Sequence, residues 1–183
     1  MFIVKTQLES NVDKIQVDLT KVLEKTPWIN NQIGLRHRIN ALDKFSDCVG
    51  SLFSKQENKF IASEYEFNQW SIDNLYLQEQ IENLCSLEKF TLGRVRFMRL
   101  LPKTGLSVHK DKEVRYHLVL TTNSNSYICH NTNTNTDVNS LNQIAVCYHI
   151  PKNGYWYKVD TRETHWVYNG GNTERIHLVV CEC

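Results

Sequence analysis

After Phe90 the sequence consists of short strand-like segments separated by turn residues, and this feature restricts the possible folds more than any other. The turns contain proline, glycine or asparagine and lie at 102–105, 123–125, 151–154 and 169–171. Strands are expected at about 92–101, 106–109, 114–121, 126–130, 143–149, 155–159, 165–168 and 174–182. Many short strands with short connections are typical of a β-sandwich or β-barrel.

The N-terminal half has a different pattern, with two amphipathic helices. A first helix is expected to begin at Ser10 or Asn11 and to end before Pro27, because its apolar residues recur at steps of three and four. A second helix is expected at about 72–87, capped by Ser71, and an alternating segment at 32–39 predicts a strand. We therefore expect one domain over 1–183, in which a mixed helix and strand part (1–90) flanks a β core (91–183).

Composition and charge exclude some classes of partner. The formal net charge is +1 and no basic run is present, so nucleic acid is not an expected partner. No apolar stretch reaches the roughly 18 residues of a membrane span, so no membrane association is expected. The N-terminal residues lack the pattern of a secretion signal, which predicts a cytoplasmic protein.

The six cysteines are spread along the chain and none forms a Cys-x-x-Cys pair. In a reducing compartment they are expected to be unpaired, small buried hydrophobic residues. The Asn/Thr run at 131–136 is interpreted as a mobile loop.

His109 and Asp111 form the first half of a candidate metal site. Residues two apart in an extended segment project from the same face, so this imidazole and this carboxylate point to one place. A second histidine on a neighbouring strand would complete two histidines and one carboxylate, the facial triad of non-haem Fe(II) oxygenases. His165, which opens a later strand-like segment, is the candidate.

Three further residues are candidates for binding an anion beside that metal. Arg175 lies in the last predicted strand, and an arginine inside a barrel needs an anionic partner because an unpaired buried charge is costly. Its planar guanidinium suits a carboxylate. Arg115 and His117 share one face of another strand.

Taken in order, these residues resemble the aspartyl/asparaginyl β-hydroxylase family of Fe(II)- and 2-oxoglutarate-dependent oxygenases. The resemblance covers about residues 94–182. The motifs that carry it are Arg99-Leu-Leu-Pro102 before a glycine, His109-x-Asp111, Arg115-x-His117-Leu-Val-Leu-Thr-Thr-Asn123, Gly154-Tyr-Trp, His165-x-x-x-Asn169-Gly and Arg175-x-His177-Leu-Val-Val180. Because Asp111 is present, the chain is more similar to the members with a complete triad, which include hydroxylases of free L-proline.

The resemblance implies a mainly β fold, the double-stranded β-helix of jelly-roll or cupin-like barrels, with about two N-terminal flanking helices. It implies that His109, Asp111 and His165 bind Fe(II) and are the catalytic residues. It also implies that Arg175 binds the distal carboxylate of the cosubstrate 2-oxoglutarate, with Arg115 and His117 close to the cosubstrate or to a substrate carboxylate.

Three functions remain open from the sequence. The first is a dioxygenase that uses 2-oxoglutarate and O2 to hydroxylate an amino-acid side chain, an Asp- or Asn-type residue in a polypeptide, and its alternative substrate is a free amino acid such as L-proline. The second is a non-catalytic metal-binding jelly-roll module, which would pair Arg175 with a protein carboxylate. The third, a cupin-type metal enzyme without 2-oxoglutarate, is disfavoured by Arg175.

Overall fold

The computed structural model describes residues 1–73, 75–131 and 144–183. The helices are α1 (Val12–Leu23) and α2 (Tyr76–Glu88), and a short 3-10 helix spans Glu64–Glu66. The strands are β1 (Ile3–Glu9), β2 (Gln32–Gly34), β3 (Arg36–His37), β4 (Phe53–Ser54), β5 (Lys59–Phe60), β6 (Gln69–Trp70), β7 (Leu92–Leu100), β8 (Thr104–His109), β9 (Arg115–Thr121), β10 (Ser126–Asn131), β11 (Ala145–Tyr148), β12 (Tyr155–Val159), β13 (His165–Asn169) and β14 (Arg175–Glu182).

Two antiparallel sheets face each other. Among the described residues, six strands form the larger sheet in the order β1-β12-β9-β14-β7-β2, and four form the smaller sheet in the order β11-β10-β13-β8. The predicted double-stranded β-helix is therefore confirmed. Two strands of the N-terminal half, β1 and β2, lie at the edges of the larger sheet. The barrel therefore includes strands from outside residues 91–183.

Side-chain alternation along β9 separates two apolar regions. Leu118 and Leu120 belong to a cluster that contains the apolar faces of both helices, so the helices cover the outer face of the larger sheet. Val119, between them in sequence, packs with Ile128 and Val167 of the smaller sheet in the space between the sheets. The side chains of β9 that share the face of Val119 therefore point into the barrel.

The two helices begin with different caps. The side chain of Asn11 accepts a hydrogen bond from Lys14 N (3.1 Å) at the start of α1, as predicted. Helix α2 begins at Tyr76, and its early backbone N–H at Leu77 donates to Oδ2 of the buried Asp18 in α1 (2.9 Å). The prediction that Ser71 caps α2 is wrong, because the cap is supplied from another helix.

The expectation that all six cysteines are unpaired is also wrong. Cys129 of β10 and Cys147 of β11 are register partners, and a disulfide joins them. Their separation of 18 residues has no recognisable motif, so the pairing depends on strand register. Beyond residue 131, the predicted Asn/Thr loop lies outside the described residues, as does residue 143 of the predicted strand at 143–149.

Within the described ranges, neither helix has the length and apolar character needed to cross a lipid bilayer.

Candidate metal centre

Strands β8 and β13 bring two histidines together at one end of the barrel. His109 and His165 are register partners, and their ring centroids lie 4.3 Å apart. Asp111 follows β8, and its backbone N–H donates to Thr161 O (2.8 Å), a hydrogen bond that holds this segment against the connection between β12 and β13. The predicted pair of histidines and the predicted carboxylate thus converge on one place.

Backbone carbonyls set the tautomer of both histidines. His109 Nδ1 lies 2.6 Å from Ser107 O, and His165 Nδ1 lies 2.9 Å from Glu163 O. Because a carbonyl oxygen only accepts, each Nδ1 carries the proton and each Nε2 has a free lone pair. Burial, the largest cause, lowers the pKa of His165 below its ordinary value and so favours the neutral ring that a metal requires.

The carboxylate of Asp111 lies close to both Nε2 atoms, and its closest contact to each histidine uses a different oxygen. Its Oδ1 accepts a hydrogen bond from Arg115 Nη2 (2.5 Å), whereas its buried Oδ2 has no hydrogen-bond partner within residues 1–73, 75–131 and 144–183. His165 Nε2 lies 3.6 Å from Oδ2, and His109 Nε2 lies 3.9 Å from Oδ1. The three candidate ligand atoms are all within 4.8 Å of one another. An orphaned buried oxygen and two imidazole lone pairs fit a divalent metal ion of the Fe(II) type.

A pocket of about 170 Å³, here called the inner pocket, extends from the two histidines into the barrel. Its walls include the apolar side chains of Ile128, Val159 and Val167. Arg175 and His117 also line it, together with Arg115. The inner pocket thus contains cationic and apolar side chains together with the two candidate histidine ligands.

Arg175 is 5% exposed, and in the part of the chain that the structure describes it has no carboxylate partner. Its Nη2 donates instead to His177 Nδ1 (3.0 Å). Burial lowers the pKa of Arg175 to about 9, so the guanidinium is still charged at neutral pH. This buried cation is available to an anion that enters the inner pocket.

His117 and His177 lie beside that guanidinium. Their Nδ1 atoms are 3.3 Å apart, and burial, followed by the charge of Arg175, lowers the pKa of both rings well below the ordinary value. Both are therefore neutral at neutral pH. His117 lines the inner pocket, whereas His177 lies behind it in contact with Arg175.

A second opening of about 560 Å³, here called the outer cleft, lies between the β8–β9 connection and the β4–β5 hairpin. His109, Asp111 and Arg115 line it, so it opens onto the metal centre. Sequence reasoning missed its other charged residues, which are Arg94, Arg96, Glu64, Lys110, Lys112 and Glu113. The alternation of arginines along β7 was the available signal, because a buried strand seldom carries two of them on one face.

Comparison with known proteins agrees with this geometry. The sequence profile described as aspartyl/asparaginyl beta-hydroxylase matches residues 56–181, which is more than half of the chain. No curated protein sequence matches.

Among solved structures, the non-heme alpha-ketoglutarate-dependent carbocyclase SnoK from nogalamycin biosynthesis aligns with a TM-score of 0.59 at 13% identity, covering 99% of this chain and 79% of that one. The viral collagen prolyl hydroxylase vCPH from Paramecium bursaria Chlorella virus-1 aligns with a TM-score of 0.52 at 11% identity, covering 100% of this chain and 95% of that one. At these identities the likeness establishes the fold.

Proposed function

Because this chain belongs to the aspartyl/asparaginyl β-hydroxylase family of Fe(II)- and 2-oxoglutarate-dependent oxygenases, we propose that it hydroxylates an amino-acid side chain, an Asp- or Asn-type residue in a polypeptide. The proposed metal ligands are His109, Asp111 and His165. Support comes from their convergence, from the tautomers set by Ser107 O and Glu163 O, and from the orphaned Oδ2 of Asp111.

The observation that carries the proposal is that Arg175, in the inner pocket, has no carboxylate partner among the described residues. A buried guanidinium without a carboxylate partner is costly unless a ligand supplies the anion. The inner pocket has room for a small dicarboxylate, with one end at Arg175 and the other toward the metal ligands. We assign 2-oxoglutarate to it, with His117 in the wall beside Arg175 and Arg115 nearer the metal.

In this proposal the residues around the metal and the cosubstrate have separate roles. Iron and 2-oxoglutarate, when bound, supply activation of O2, and the overall reaction converts 2-oxoglutarate, O2 and a substrate C–H bond into succinate, CO2 and C–OH. Arg115 holds Asp111 in orientation, and the backbone carbonyls hold the two histidines. The apolar side chains of the inner pocket exclude water from the cosubstrate.

One alternative substrate keeps the same chemistry. A free amino acid such as L-proline is supported by the complete triad with Asp111, whereas a polypeptide is supported by the outer cleft, which is open at the surface and larger than the inner pocket. A non-catalytic metal-binding module is disfavoured, because that function predicts a protein carboxylate on Arg175 and its partner is His177.

The test is succinate formation from 2-oxoglutarate with Fe(II) and O2, combined with mass spectrometry of candidate peptides and free amino acids. We expect substrate-stimulated succinate and a product that has gained one oxygen atom. Arg175→Met should abolish both, and Arg162→Gln, which removes an exposed arginine outside both openings, should abolish neither. Equal turnover by the parent chain and Arg175→Met would refute the assignment.

A further inference from the structure

The outer cleft contains a buried cation that the proposed metal and cosubstrate sites do not use. Arg96 is 2% exposed and projects from β7 into the barrel, where it lines the outer cleft. Its Nη1 donates to Gln32 Oε1 (3.1 Å) and Gly50 O (3.3 Å), and its Nη2 lies 3.6 Å from Cys181 Sγ. Its Nε is buried and has no hydrogen-bond partner among the residues that the structure describes, and none of the acceptors named is a carboxylate.

Two of the three carboxylates that line the outer cleft are paired with other arginines, and the third, Glu113, lies 4.0 Å from Lys112 Nζ. Arg94, on the same face of β7, forms a buried ion pair with Glu64 (2.8 Å). Arg115 holds Asp111. Of the residues that line the outer cleft, five carry a cationic side chain and three a carboxylate, so the cleft has an excess of positive charge before a metal ion adds more.

The position of Arg96 relates it to the metal centre. Cys181, which its guanidinium reaches, is the register partner of Arg115 on the neighbouring strand β9. Arg115 in turn contacts the ligand Asp111. Strand β14 lies between β7 and β9, and adjacent strands are about 5 Å apart, so the backbone segments that carry Arg96 and Arg115 are on the order of 10 Å apart. That span suits one amino-acid unit.

We propose that Arg96 determines substrate specificity by binding a carboxylate of the substrate in the outer cleft. The inference rests on the proposed function, because it concerns the amino-acid unit that this site would hydroxylate. The carboxylate has two possible sources: the side chain of an aspartyl residue in a polypeptide, or the α-carboxylate of a free amino acid. A guanidinium with neutral partners recognises either one.

The test is calorimetric binding of four probes to the chain loaded with Mn(II) and 2-oxoglutarate. Two probes are N-acetyl-aspartyl-N-methylamide and its asparaginyl isostere, which differ in the side-chain carboxylate. The others are L-proline and L-prolinamide, which differ in the α-carboxylate. We expect the parent to prefer the carboxylate in one pair by roughly 10- to 100-fold, and Arg96→Met to remove that preference. The pair affected identifies the source.

Thermal unfolding of the ligand-free protein separates this role from a structural one. Replacing an uncompensated buried cation with methionine should leave Tm unchanged or raise it. Arg94→Met, the matched change on the same strand, leaves Glu64 unpaired and should lower Tm by roughly 6 to 15 °C.

Three results would overturn the proposal: no probe binds the parent, the carboxylate preference survives in Arg96→Met, or Arg96→Met lowers Tm as much as Arg94→Met does. Binding of 2-oxoglutarate to the parent is measured separately. If it is absent, the proposed function fails, and the paired probes, titrated without 2-oxoglutarate, still decide the role of Arg96.

Discussion

At the scale of single residues, each side chain of the candidate centre is held by a hydrogen bond to a neighbouring group. His109 and His165 each use Nδ1 on a backbone carbonyl, and Asp111 uses Oδ1 on Arg115. Each histidine is thereby left with an unprotonated Nε2, and one candidate ligand atom from each of the three side chains lies within 4.8 Å of the other two. Preorganisation of this kind reduces the conformational freedom that metal binding would otherwise remove.

We therefore expect Arg115 to affect the affinity for the metal ion as well as the affinity for an anion in the inner pocket. Arg115→Gln removes the 2.5 Å contact that orients Asp111, and we expect about a 10- to 100-fold loss of metal affinity. Competition between the protein and a chelator for Mn(II), without 2-oxoglutarate, measures it. Parent-like affinity in the variant would show that Asp111 is held by other contacts.

The buried histidines His117 and His177 predict loss of stability in acid. Their pKa values in the folded chain lie well below 6.5, so below pH 6.5 the unfolded chain binds protons that the folded chain does not. Their contribution is present above pH 6.5 and decreases as pH falls from there, by about 1.4 kcal/mol per pH unit for each histidine. Denaturant unfolding of the metal-free protein between pH 7.5 and 5 should show a smaller slope for His177→Gln. An unchanged slope would show that the His177 ring does not contribute to the acid sensitivity.

At the scale of elements, the turn between β13 and β14 fixes the spacing of His165 and Arg175. Asn169 is completely buried at its start. Its Nδ2 donates to the carbonyl oxygens of Leu100, Leu101 and Thr173, and its Oδ1 accepts from Ser126 Oγ and Asn123 Nδ2. The side chain of Asn169 thus connects the turn to strand β10 and to the C-terminal end of β7.

Replacing Asn169 should be costly because it leaves several buried polar groups without partners. We expect Asn169→Ala to lower the free energy of unfolding by about 3 kcal/mol. Asn172→Ala, an exposed position in the same turn, should change it by less than about 0.5 kcal/mol. Urea denaturation of both variants checks this, and similar midpoints would show that the Asn169 amide does not hold the turn in place.

The disulfide between β10 and β11 gives a second prediction for these elements. A cross-link that closes a loop of this length stabilises by about 3 kcal/mol, so reduction should lower Tm by roughly 6 to 12 °C. Thermal unfolding with and without a thiol reductant measures the shift. The double variant Cys129→Ala/Cys147→Ala should be insensitive to reductant, and a parent chain equally insensitive would show that the bond does not form.

At the scale of the whole molecule, the sequence predicted what depends on local pattern. Alternation and turn residues located the strands of the C-terminal half, and the ordered motifs predicted the family and the barrel. The convergence of His109, Asp111 and His165 followed from placing them at strand ends.

What the sequence could not supply depends on choices among distant partners. Glu64 pairs with Arg94, and no carboxylate in the described part of the chain pairs with Arg96, although neither arginine is distinguished by its local sequence. Asp18 caps α2 across 59 residues, and strand register decides which cysteines meet. Each of these features is set by tertiary packing, which no local spacing encodes.

The central claim is that the three side chains at the barrel end hold one metal ion, and metal titration tests it most directly. Isothermal calorimetry of the metal-free chain with Mn(II) should give one ion per chain. His109→Ala, Asp111→Ala and His165→Ala should each lose most of that affinity, and His149→Ala, whose Nδ1 lies 3.0 Å from Ser126 O outside the centre, should retain it. Parent-like binding in any two of the three ligand variants would contradict the claim.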